Sequence, residues 1–188
     1  MSIDANTVKW AAQTSRELLS PLGNRWLHVQ GVVERAREIK YLFDEKDYLT
    51  LIAATYLHDI GYAPSLQKTG FHPIDGAYYL QEQNQERLAS LVAHHSEAQF
   101  EAQLRGLTSE LALFPREHTI IADALTYCDM TTSSTGQRVS LQQRLDDIFH
   151  RYNETHIVSQ AIHQAQPSLS EAVQRVGEAL YKTDLASN

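Results

Sequence analysis

Apolar residues recur along this chain with helical spacing. Between Asp4 and Leu19, Val8, Ala11, Ala12, Leu18 and Leu19 fall on one face, and Pro21 and Gly23 then break the run. Asn24 is placed to cap a second helix, Arg25 to about Phe43, whose apolar positions include Trp26, Val29, Val32, Val33, Ala36 and Ile39. A third, Glu45 to Asp59, is rich in Leu, Ile and Ala and is expected to be the central, mostly buried helix. The loop Gly61 to Gly70 leads into a helix from Pro73 to about Gln83, with its proline in the tolerant first turn. Glu86 to Ser96 follows, then a short amphipathic segment from Ala98 to Leu113 that ends near Pro115. His118 to Asp129 is strongly apolar, Met130 to Gln137 is a polar loop, and helices over about Leu141 to Tyr152 and His156 to Leu180 close the chain. No stretch alternates with period two, so the expected fold is all-α.

The length, 188 residues, suits a single domain, with a core over about 24–130 and C-terminal helices over about 141–182. A net charge of −7, without clustered Lys and Arg, argues against nucleic acid as a partner. Cys128 is the only cysteine, which excludes both an internal disulfide and a thiolate zinc site; in its apolar run it is expected to be buried and inert. Met1 to Lys9 lacks the pattern of a signal peptide, and no apolar run approaches the ~20 residues of a membrane span, so a cytoplasmic protein with no membrane partner is expected. Ala172, Val173, Val176, Ala179 and Leu180 can pack on the core or on a second subunit, which leaves a homodimer open.

Histidine placement changes the picture. Successive helical residues point about 100° apart, so the neighbours His58 and Asp59 can serve one site only where the helix ends. Gly61, two residues on, suits the left-handed position that stops a helix. His28, His72, the His94-His95 pair and Asp129 also lie at helix ends or loops. A polar group closing a core helix is costly unless satisfied, and a metal would satisfy several at once. Imidazole and carboxylate donors without thiolate suit iron, manganese, cobalt, nickel or zinc. A core of coincidental histidines is the bland alternative.

The order His, then His-Asp, then Asp, with the pair closing a central helix, resembles the HD-domain superfamily of metal-dependent phosphohydrolases. Two further histidine sites between the pair and the last Asp resemble its dinuclear branch, which includes YqeK-like dinucleoside-tetraphosphate hydrolases, cyclic-di-GMP phosphodiesterases and some di-iron oxygenases. The likeness spans about Arg25 to Asp129, and His-Pro-x-x-Gly-Ala around His72 adds to it. It implies His28, His58 and Asp129 as terminal ligands, Asp59 as the bridging ligand, and His72 with His95 completing a second divalent ion; magnesium is a further candidate. His95 is favoured over His94 because Ser96 follows it. His94 is then a phosphate contact or an outer partner that joins Asp59 in catalysis, and Asp123 is a lesser rival to Asp129. Tyr62 stands where many members have Lys or Glu, and the signature of the cyclic-di-GMP enzymes is missing.

The resemblance implies hydrolysis of a nucleotide or another small phosphorylated substrate by metal-activated water. Arg25 and then Lys68 are the expected phosphate donors. The alternatives are a di-iron oxygenase on the same scaffold and a non-enzymatic nucleotide- or metal-binding module.

Overall fold

The computed structural model describes residues 3–186, apart from the side chains of residues 184 and 186. Among them are ten α-helices and no strand: α1 (Ala5–Leu19), α2 (Asn24–Glu38), α3 (Glu45–Leu57), α4 (His72–Glu82), α5 (Glu86–His94), α6 (Gln99–Arg105), α7 (Thr108–Leu111), α8 (Ile120–Met130), α9 (Leu141–Arg151) and α10 (Ile157–Ala186). The all-α expectation is met. Helix starts follow side-chain chemistry. Asp4, Asp44, Thr119 and Ser140 each accept a backbone N–H in the first turn of the helix they precede. Asn24 does not cap α2; Gly23, with φ of 56°, holds that place and leaves Asn24 inside the helix. The stretch from Arg25 to Phe43 ends early, at Glu38, and finishes in a separate 3₁₀ turn, Lys40–Leu42. Ala98 to Leu113 splits into α6 and α7 where Gly106 turns left-handed.

Buried side chains of α1, α2, α3, α4, α5 and α8 merge into one core, including Leu19, Val32, Leu51, Leu57, Ile74, Leu80 and Leu125. Cys128 is fully buried in it. A smaller cluster, Met130, Leu145, Ile148, Ala165 and Leu169, fastens α9 and α10 to the end of α8. On α10, Ala172 and Val176 are buried within the chain itself. No described helix is long and apolar enough to cross a membrane.

Gly61 corrects the expectation placed on it. It is not among the residues of positive φ; it lies in the 3₁₀ turn Ile60–Tyr62, where a Cβ would stand 2.0 Å from the His72 carbonyl oxygen and 2.6 Å from the Gly76 nitrogen. Its role is close approach. Without a side chain there, the turn after Asp59 presses directly on the first turn of α4 and brings His72 to Asp59.

Candidate metal centre

Five helix ends converge on one point. His28 lies in the second turn of α2, His58 caps α3, His72 opens α4, His95 follows α5, and Asp129 lies in the last turn of α8. Asp59 has left the helix, at φ −105° and ψ 5°, and for that reason its carboxylate can turn to the same side as the His58 ring. Donor atoms of His28, His58 and Asp129 form one group, and those of Asp59, His72 and His95 form another, with all atoms in each group within 4.8 Å of one another. Asp59 stands between the groups. Its Oδ2 is 3.4 Å from His58 Nε2 and 3.8 Å from His28 Nε2, while its Oδ1 is 3.4 Å from His72 Nε2.

Backbone carbonyls set the ring orientations. A carbonyl can only accept, so Nδ1 donates from His28 to Ser133 (2.9 Å), from His58 to Thr55 (2.8 Å) and from His95 to Val92 (2.6 Å). A ring that donates from Nδ1 in its neutral form presents a bare lone pair at Nε2, which is the usual arrangement of a metal-ligating histidine. His58 Nε2 is buried with no hydrogen-bond partner. His72 and His95 turn their Nε2 atoms toward each other at 3.3 Å, and His28 Nε2 meets Asp129 Oδ1 at 2.9 Å. A cation would relieve all three situations, so the donor set fits a divalent metal.

The charge states agree with that fit. Burial works against ionising Asp59, but the charge of Arg25 and the charge and hydrogen bond of His58 outweigh it and hold the carboxyl well below its usual range. Burial likewise opposes Asp129, and the His28 hydrogen bond and charge, with His58 and Arg144, win. Burial pushes His72 well down, reinforced by His95 and Arg25 against Asp59, and burial and His58 push His95 down. For His58 burial loses to Asp59 and Asp129, and its basicity rises.

Around the donors, Arg25 Nη1 reaches Asp59 Oδ2 at 2.6 Å, and its guanidinium lies 3.8 Å over the centre of the Tyr62 ring. Tyr62 in turn stacks on the His72 ring at 4.0 Å. Tyr62 therefore serves as a platform between the phosphate-donor candidate and a ligand candidate. The other expected residues lie elsewhere. His94 is turned away: Phe114 carbonyl accepts its Nε2 at 2.7 Å, and it faces a second cavity behind the site, so it is not placed to join Asp59 in catalysis. The reason is local, because the helix ends at His94 and the next residue leaves on a different course. Lys68 is exposed and paired with Glu82 at 2.7 Å, away from the donors. Asp123 is held by two of the three guanidinium nitrogens of Arg175, Nε at 2.7 Å and Nη2 at 2.8 Å.

Three contributors escaped the sequence. Ser96, left-handed at φ 49°, places its Oγ 2.5 Å from Asp129 Oδ2. In the polar loop after Asp129, the Ser133 carbonyl supplies the acceptor that orients His28. Arg144 of α9 lies 3.8 Å from Asp129 Oδ1. Its signal was present, since it shares a helix face with Leu141, Leu145 and Ile148, where a charge is out of place. A cavity of about 120 Å³ opens over the donors, walled by Arg25, Tyr62, Arg144, Ile148, Tyr152 and Ile162.

A family model described as HD domain matches residues 25–131. That interval contains both donor groups and excludes α9 and α10. No curated protein and no solved structure matches the chain.

Proposed function

The chain belongs to the HD domain family, whose members are generally metal-dependent phosphohydrolases, and from that premise we propose that it hydrolyses a phosphate ester or anhydride of a small molecule, a nucleotide among the candidates. His28, His58 and Asp129 would hold one divalent ion, and His72 and His95 a second, with Asp59 shared between them. The observation that carries this is the position of Asp59, one oxygen facing each histidine group.

Bound there, divalent ions supply a nucleophilic water near neutral pH and draw charge from the phosphate oxygens. The chain's own groups do the rest. Asp59, ionised, buried and held well below the usual carboxylate range, would stay a carboxylate shared by the two ions, and the proton released when water attacks phosphorus leaves to solvent through the open cavity. As the water oxygen bonds to phosphorus, the bond to the leaving oxygen breaks, and a proton passes to that oxygen. Arg25 is a fixed cation at the cavity wall, preoriented by Tyr62 to hold a phosphate oxygen. The apolar wall on α9 and α10 excludes water from the far side.

The test is phosphate release from a panel of phosphomonoesters, diesters and nucleotides after loading with manganese, cobalt, nickel, zinc, magnesium or ferrous iron, alongside oxygen uptake. Release that Asp59→Asn lowers at least about a hundredfold supports hydrolysis. Oxygen consumption without phosphate release would assign the scaffold to the di-iron oxygenase class instead.

A further inference from the structure

The C-terminal helices, outside the family match, make a wall whose chemistry narrows the substrate. Arg144 is a buried cation, with its side chain 8% exposed, and its bonding is incomplete. Asp147 lies 3.5 Å from it and Asp129 3.8 Å, both long for a charge-assisted bond, and its Nε is buried without a partner. Such a group is costly to bury unless something completes it. Arg144 lines the cavity over the donors together with Arg25 and Arg151, and the same three line a second, adjoining opening. Asp147 also answers Arg151 at 2.9 Å, so one carboxylate serves two guanidinium groups.

Tyr62, Tyr152, Ser96, Glu97 and Glu101 also line the cavity, and the rest of its α8–α10 side is apolar: Met130, Ile148, Val158, Ala161, Ile162 and Ala165. The nearby carboxylates are engaged, Glu97 with Arg116 and Glu101 with Arg105.

Given the phosphohydrolase function proposed above, on which this rests, we propose that Arg144 is the anion anchor of the cleft and that the preferred substrate is a phosphomonoester of a compact apolar alcohol, its carbon part seated against the α9–α10 wall. The phosphate meets Arg144 and Arg25, and the apolar part faces Ile148 and Ile162.

The experiment has two arms. In the first, the metal-loaded enzyme is given phenyl phosphate, pentyl phosphate, ribose 5-phosphate and adenosine monophosphate. The apolar esters are expected to exceed the other two in kcat/KM by at least about tenfold, and Ile162→Asn is expected to erase that preference. In the second, inorganic phosphate is titrated calorimetrically into parent, Arg144→Gln and Arg144→Lys proteins of matched metal content and melting temperature. Arg144→Gln is expected to weaken binding at least about tenfold, with partial recovery in the lysine variant. Preference for the ribose or nucleoside ester overturns the substrate assignment. Unchanged phosphate affinity in Arg144→Gln, or a loss explained by lost metal, overturns the anchor. If Arg144→Gln does not fold, Arg144→Lys and Ile162→Asn carry the decision. If no ester is cleaved but phosphate binds through Arg144, the hydrolase function fails while the anion anchor stands.

Discussion

At the scale of single residues, the two adjacent histidines separate cleanly. His95 has Nδ1 tied to Val92 and Nε2 in the donor group, whereas His94 gives its Nε2 to the Phe114 carbonyl on the other side of the chain. His94→Gln is expected to leave bound metal and phosphate release within about twofold of the parent and to cost about 1 kcal/mol of stability, the size of one hydrogen bond. His95→Gln, tested beside it by elemental analysis, should lose metal; equal losses in both would contradict the assignment. Gly61 is as demanding as any ligand. A methyl at this position meets the His72 carbonyl and the Gly76 nitrogen, both backbone, so neither can swing aside. Gly61→Ala is expected to cost about 3 kcal/mol or more in urea unfolding and to displace His72. A mild change in stability would show that the turn and α4 can separate without harm.

At the scale of elements, the helices that carry ligands and the helices that wall the cleft rest on different packing. Leu169 of α10 is fully buried in the small cluster with Met130, Leu145, Ile148 and Ala165 and belongs to neither donor group. Leu169→Ala is expected to cost about 2–5 kcal/mol and to raise KM while the metal content holds. Loss of metal without change in KM would show that the wall supports the centre rather than the substrate. This division also explains what was legible in the sequence. The His58-Asp59 pair stood out because an apolar run delivered it to a helix end, and the helical spacing located every major helix. The side to which His94 turned was not legible, because it depends on α5 ending at His94 itself, with His95 leaving on a different course. Nor was the use of Arg144: an arginine on an apolar face ordinarily extends its charge to solvent. Asp147 at 3.5 Å and Asp129 at 3.8 Å face this one where it lies buried.

At the scale of the whole molecule, the donor candidates come from positions 28 to 129, so they form one site only when five helix ends meet. The order of the ligand candidates along the chain was enough to suggest that meeting. The resemblance also gave the grouping, His28, His58 and Asp129 on one side and His72 with His95 on the other with Asp59 between, and the donor atoms fall into those groups; how Asp59 turns once α3 has ended was not legible. A metal bound there would link to the fold through that convergence, since each ligand bond would also hold two chain segments together. The central claim is that Asp59 joins two three-residue groups, each able to hold one ion. The most direct measurement is metal content per chain, by elemental analysis after reconstitution and removal of free ion. The parent is compared with His58→Ala, His95→Ala and Asp59→Ala, each checked for folding by circular dichroism. The account expects about two ions in the parent, about one in each histidine variant, and fewer still without Asp59. A folded parent that stays empty, or that keeps its full complement without Asp59, would contradict it.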